Sequence, residues 1–300
     1  MKYFCHLFLL LGLNVFSQSS DYQITNLDIN NEYPHFGLMQ VGERGVIFTS
    51  YLLNKNGKVK VVGGEPILTL YTGELSSENN IINIEPLKID ENIKIPTITS
   101  ATISPNGKKL YITTLYTKKN KPKGEFKATN FHLEEATFKE GLGWTDFKVL
   151  PFCKPRYSYA HPSFSEDGKT LYFTSNIRGG KNTTKGGSDL FKVSVNEDGT
   201  YGEPKNLGSK VNSYSREMFP IVNRNALYFS SNRPGYGGFD LYKSEILENG
   251  EFKKAIKLPK PINSAKDDLS LVMISDSSGF LVSKRLEGKG DDDIYYFTEN

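Results

Sequence analysis

HPSFSEDGKTLYFTSN (His161–Asn176) returns within the same chain as MFPIVNRNALYFSSN (Met218–Asn232). Leu171-Tyr172-Phe173 corresponds to Leu227-Tyr228-Phe229. After a Gly-rich loop in each copy, Asp189-Leu190-Phe191 corresponds to Asp240-Leu241-Tyr242. A unit that recurs at a fixed period is the mark of a repeat architecture, and it decides the fold before any single element does.

Working outward, three weaker copies flank this pair. SATISPNGKKLYITT carries Ser104-Pro105-Asn106-Gly107 where the clear repeat has Ser165-Glu166-Asp167-Gly168. Gly45–Ser50 (GVIFTS) matches the LYFTS strand, with Ile67–Tyr71 as its partner. SDSSGFLVSKR leads to Asp293-Ile294-Tyr295, which matches the DLF and DLY strands. Successive copies lie about 53 to 64 residues apart, near the length of a four-stranded propeller blade.

Each unit reads as four strands. PSFS is the first, and the Asp-Gly dipeptide after it makes a tight hairpin, because Gly tolerates the positive φ the turn needs. TLYFTS is apolar nearly throughout, as a strand covered on both faces should be. DLFKVSV alternates in part and so fits a less buried place. EPKNL is a short fourth strand at an outer edge, where Pro204 is tolerated. Tyr116–Gly143 is least regular: a long loop with the basic run Lys118–Lys123, then a third strand, with a short helix in Glu134–Glu140 as an alternative.

The ends complete the count. Five inter-repeat segments are legible: Ile24–Phe36, Ile84–Ile103, Phe147–Phe164, Pro204–Ile221 and Ile256–Met273. The last repeat lacks its own fourth strand, and Gln23–Leu27 can supply it, which closes a ring without an open edge. The expectation is an all-β, five-bladed β-propeller of four-stranded antiparallel blades, closed by an N-terminal strand that completes the last blade. The abundance of Tyr and Phe, 17 and 19, with 27 Gly and 14 Pro, agrees with an all-β chain.

Lys2, the apolar stretch to about Val15 and Val15-Phe16-Ser17 read as a secretory signal over residues 1–17, leaving one domain over 18–300. No second long apolar run follows, so no membrane span is expected. A net charge of +3 with mixed signs along the chain gives no nucleic-acid footprint. Of two cysteines, Cys5 falls in the signal, and Cys153 is then a lone thiol read as a small buried apolar residue.

The two quoted stretches, with NRPGYGG before DLY, resemble the TolB-like (WD40-like) β-propeller repeat, of the type found beside OmpA-like domains in envelope proteins. What the resemblance implies is a non-catalytic, exported propeller in the periplasm or at the cell surface, binding envelope or secreted proteins. The chain departs from that arrangement in showing no OmpA-like domain, so a wall-anchoring role is not carried over, and a monomeric propeller is expected.

Candidate residues follow from position in the repeat. Asp189, Asp240 and Asp293 open the third strand and are expected to cap the Gly-rich turn before it. Arg178, Arg233 and Arg285, with Tyr236, lie in loops on the same face as Asn30, Asn212 and Asn263 of the blade connections. They form either a partner-binding face, since Arg and Tyr favour interface hot spots, or internal locks of the loops. His35, His132 and His161 show no metal-ligand spacing and read as structural. Asp291-Asp292-Asp293 resembles a fragment of a calcium loop but lacks its spaced ligands. No nucleophile elbow, HExxH or Walker loop is present, and Ser165–Gly168 departs from a sialidase-type Asp box. No cofactor and no metal are expected. Two other functions compete. One is a glycan-binding or glycan-hydrolysing propeller using carboxylates such as Glu217 and Asp268. The other is a calcium-dependent adhesin-like module.

Overall fold

The computed structural model describes residues 22–116, 127 and 129–299. The proposed signal segment and the run Lys118–Lys123 lie outside the described residues. In chain order the strands are β1 (Tyr22–Asn26), β2 (Phe36–Val41), β3 (Gly45–Tyr51), β4 (Val61–Val62), β5 (Glu65–Pro66), β6 (Leu68–Leu75), β7 (Ile81–Pro86), β8 (Ile98–Ile103), β9 (Lys109–Leu115), β10 (Phe131–Lys139) and β11 (Gly143–Val149). They continue as β12 (Tyr159–Phe164), β13 (Thr170–Ser175), β14 (Asp189–Ser194), β15 (Lys205–Asn206), β16 (Glu217–Asn223), β17 (Ala226–Ser231), β18 (Asp240–Glu245), β19 (Ile256–Lys257), β20 (Asp268–Met273), β21 (Ser278–Ser283) and β22 (Asp293–Glu299).

These strands pair into five antiparallel sheets of four: β2-β3-β6-β7, β8-β9-β10-β11, β12-β13-β14-β15, β16-β17-β18-β19 and β20-β21-β22-β1. They are blades one to five of a β-propeller. The innermost strands touch in sequence, β2 on β8, β8 on β12, β12 on β16, β16 on β20 and β20 back on β2. Closure is made by β1, whose Tyr22 pairs with Glu299 and Asn26 with Tyr295.

The apolar second strands have a simple cause. Leu171 and Phe173 of β13 pack into the cluster shared with blade two, and Tyr172 between them packs into the cluster shared with blade four. Leu227 and Phe229 likewise face blade three, and Tyr228 faces blade five. Successive side chains of a strand point to opposite faces, so both registers must be apolar when a blade lies on each side. The core is therefore divided among blade interfaces rather than gathered in one centre.

Some expectations change in detail. Glu134–Lys139 belongs to the expected third strand rather than to the alternative helix: β10 pairs with β9 from Phe131 to Thr137, and Leu133 and Ala136 enter opposite interfaces. Tertiary pairing overrides a local helix preference there. The first strand of blade three starts at Tyr159, ahead of PSFS. The EPKNL strand shrinks to Lys205–Asn206, and its counterpart β19 is equally short. A small hairpin, β4 with β5, stands on the loop between β3 and β6. It turns on Gly63-Gly64, both at positive φ, as a tight hairpin requires.

Candidate functional site

In an antiparallel blade the loops between second and third strands share a face with the connections between blades. The third-strand aspartates lie just under that face. Asp189 accepts the Lys185 N–H (3.0 Å) and the Gly186 N–H (3.2 Å). Asp240 accepts the Tyr236 N–H at 2.7 Å, and Asp293 accepts from Lys289 and Gly290. All three are at most 1% exposed. Each carboxylate thus satisfies amides of the turn that would otherwise be buried without partners.

The connections are held by a second device. Asn212 accepts the Leu190 N–H (2.8 Å) and donates to the Leu190 carbonyl (2.9 Å). Asn263 does the same to Leu241, at 2.6 and 3.0 Å, and Asn30 to Ile294, at 3.0 and 2.7 Å. Each amide adds one rung to the third strand where the fourth strand has run out. Asn212 and Asn263, candidates for the contact face, are buried, so they pin the connections and present nothing to a partner.

The arginines are also engaged from within. Arg233 Nη2 donates to the Val211 carbonyl (2.6 Å) and to Glu217 (2.9 Å), and its Nε donates to Ser231 (2.9 Å). Its guanidinium lies 4.6 Å from the Tyr242 ring centroid. Arg285 repeats this with the Ile262 carbonyl, Asp268, Ser283 and the Tyr295 ring. Arg178 sits one residue further along its loop. It donates to the carbonyls of Thr184 and Gly186 of that loop (2.8 and 2.7 Å). Glu217 and Asp268, both fully buried, are thereby the charge partners of Arg233 and Arg285. Where the second strand is not followed by such an arginine, the carboxylate is replaced: His35 occupies the position in blade one and Tyr159 in blade three.

Close approach of loop and connection explains the paired glycines. A Cβ on Gly186 would lie 1.8 Å from the Ser215 carbonyl oxygen, and one on Gly237 would lie 2.4 Å from that of Lys266. The Gly-Gly before Ser-Asp and Phe-Asp, within the Gly-rich loops, leaves room for that approach.

What remains outward is different from the set read from the sequence. Tyr214 is 86% exposed, Leu286 79% and Tyr236 45%. Val61, Val62 and Leu53 stand exposed on the same face in blade one. Of the exposed large apolar side chains among the described residues, these six share the loop face. Phe138, Leu142 and Leu247 are at the opposite hairpins, and Ile82, Ile84 and Ile256 are on outer strands. Only Tyr236 of this group was singled out beforehand; Tyr214 and Leu286 carry no repeat signal, because neither position recurs.

The central channel is narrow and lined by Leu38, Met39, Ala101, Pro162, Phe219 and Ile221, with Gly37, Pro220, Ser100, Ser270 and His161. No carboxylate is among these. His161 stacks on Phe219 with ring centroids 3.8 Å apart, and burial holds its imidazole down to about 3. His35 is lowered by burial as well. His132 is fully buried against Glu134 at 2.7 Å and stacks on Tyr116. Cys153 is buried, and burial pushes its thiol up to about 12, which removes thiolate chemistry at neutral pH. Among the described residues, no three His, Cys, Asp or Glu side chains are placed to hold a metal ion.

Asp292 is 8% exposed and only 3.9 Å from Lys284, its nearest cation. Burial pushes its carboxyl up to about 6 against the pull of Lys284. A raised folded-state pKa means that the native protein holds a proton more tightly than the unfolded chain. Stability therefore falls as pH rises from about 4 to about 6. Asp292→Asn is expected to stabilise by roughly 1–3 kcal/mol at pH 7.5, a gain that vanishes by pH 4, in urea unfolding at the two pH values.

No family model matches the chain, and no curated protein does. Solved structures are similar at low identity. A protein of unknown function from Dyadobacter fermentans shares 14% identity over 88% of this chain and 75% of its own, with a TM-score of 0.48. A putative TolB from Agrobacterium tumefaciens shares 13% over 85% and 91%, with a TM-score of 0.46. A puromycin-hydrolyzing peptidase from Mycobacterium tuberculosis shares 12% over 88% of this chain and 45% of its own, with a TM-score of 0.44. This chain thus spans less than half the length of that peptidase. The blade count comes from this chain's own strand pairing. Among the described residues, no helix is long and apolar enough to cross a membrane.

Proposed function

We propose that the protein is an exported, non-catalytic propeller that binds a protein partner of the cell envelope through its loop face. The observation that carries this reading is the contrast within that face. Arg233, Arg285, Asn212 and Asn263 are consumed by internal bonds, while Tyr214 and Leu286 stand bare above them and Tyr236 is half-exposed. Large apolar side chains projecting from rigid loops are what an interface core needs. The apolar channel, without a carboxylate among its lining residues, supports a role without glycosidic chemistry. The likeness of the repeats to the TolB-like type supports placement in the envelope.

The test is affinity capture of the tagged full-length protein from crosslinked cells, with mass spectrometry of what is retained and N-terminal sequencing of the recovered chain. A small, reproducible set of envelope proteins, lost in Tyr214→Ser/Leu286→Ser, is the expected result, with an N-terminus at Gln18. Capture that is unchanged in the double variant removes the proposed face. An N-terminus still at Met1, with the protein in the cytosolic fraction, removes export.

A further inference from the structure

The half-exposed ring of Tyr236 is approached by two cations. Lys257 Nζ lies 3.6 Å from its centroid and Lys260 Nζ 5.1 Å. Both arrive from the outer side of blade four, Lys257 from β19 and Lys260 from just beyond it. Lys266 is exposed on the connection that packs under Gly237 of the same loop. Next to them a groove runs between blades four and five, lined by Lys260, Ala265, Lys266, Arg285, Leu286 and Glu287.

Some lysines of the nearby surface are neutralised by carboxylates. Lys253 pairs with Glu245, Lys210 with Glu251 and Lys284 with Asp291. Lys257 and Lys266 have no carboxylate partner among the described residues. Asp267, the nearest acid by sequence, is turned inward to accept the Phe239 N–H at 2.8 Å. Glu287 alone brings negative charge to the groove wall. The attraction of the ring face for the Lys257 ammonium is modest. An incoming carboxylate supplies the counter-charge that Lys257 and Lys266 lack, and an apolar neighbour in the same segment reaches Tyr236 and Leu286.

Resting on the protein-binding reading above, we infer that Tyr236, Lys257, Lys260 and Lys266 form the receptor for an acidic segment of the partner protein, one that carries an apolar anchor among its carboxylates. The occupant is a peptide rather than a lipid surface, because the cations surround one ring beside a groove and do not spread into a flat basic field.

The experiment is fluorescence anisotropy of the full protein with a labelled peptide rich in Glu and Asp around a single Phe. Its Lys-substituted counterpart and a Phe→Ser version serve as controls. The native protein is expected to bind the acidic peptide, more weakly as salt is added. Lys257→Gln/Lys260→Gln loses roughly tenfold in affinity and Lys257→Glu/Lys260→Glu loses more. Thermal unfolding of both variants should match the parent, since these side chains lie at the surface. Absence of binding by the native protein, or equal binding by the variants, overturns the inference. So does lysine-dependent sedimentation with phosphatidylglycerol vesicles in the absence of peptide binding, which assigns the cluster to a membrane surface. Partner capture that depends on Tyr214 and Leu286 but not on Lys257 and Lys260 also overturns it, while leaving the broader reading in place.

Discussion

Asn263→Ala is expected to lower the unfolding free energy by about 2–4 kcal/mol, one of the largest effects of a single uncharged substitution in this chain. The reason lies in the length of β19. With only Ile256–Lys257 in the ladder, the outward N–H of Leu241 has no strand partner. The Asn263 carboxamide takes its place, and its NH2 group is shared between the carbonyls of Leu241 and Leu258 (3.0 and 2.8 Å). Alanine leaves the N–H orphaned at a site only 1% exposed and opens a void beside it. Asn263→Asp should do no better. It keeps the acceptor but sets a carboxylate against two carbonyl oxygens. Urea unfolding checks both: the midpoints fall and the slope is unchanged, because the folded and unfolded surfaces stay the same. A midpoint within experimental error of the parent would show that the connection is held by the rest of its contacts.

The same residue shows what the sequence could and could not say. Asn30, Asn212 and Asn263 recur at matching positions, so a shared role was legible from spacing alone. Direction was not. A polar residue in a connecting segment normally points to water, and only the free edge of the third strand beyond the end of the fourth turns these amides inward, past the two-residue β15 and β19 and past β1 alike. The blades themselves were legible because a second strand buried on both faces must be apolar in both registers. Tyr172 and Phe173 therefore announce two interfaces at once. The shortened fourth strands were not, since Pro204 and the polar residues after it suit an edge of any length. The pairing of Arg233 with Glu217 and of Arg285 with Asp268 was also present as covariation between repeats. It becomes visible only when first and second strands are aligned across the blade. Tyr214 and Leu286, by contrast, belong to no pattern. A residue that serves a partner rather than the repeat has no reason to recur.

Arg233→Glu is expected to destabilise by about 3–5 kcal/mol and to abolish any binding activity for reasons unrelated to contact. Glu217 is fully buried and already accepts from the Ser213 N–H, the hydroxyls of Ser213 and Ser231, and Arg233. Reversal removes the one cation and sets a second carboxylate close by, where two like charges cannot both be desolvated. Arg233→Met separates the contributions. It keeps a long apolar stem over Tyr242 and leaves Glu217 its three neutral donors, so it should lose only about 1–3 kcal/mol. The sign of the pH dependence distinguishes the two variants. In Arg233→Glu the facing carboxylates raise one pKa in the folded state, so the native protein holds a proton that the unfolded chain releases. Its stability should then recover as the pH is lowered, while Arg233→Met shows no such recovery of comparable size. Thermal unfolding at pH 5 and 7.5 measures this directly, and a loss that is the same at both pH values would place the cost in packing rather than charge. The consequence for function is concrete. Arg233 and Arg285 are the residues that composition alone would choose for disrupting an interface, yet a partner lost on their reversal reports a loosened blade. Tyr214→Ser, at a side chain 86% exposed, should stay within about 0.5 kcal/mol of the parent. Binding lost there, with the melting curve unmoved, is a statement about the surface itself.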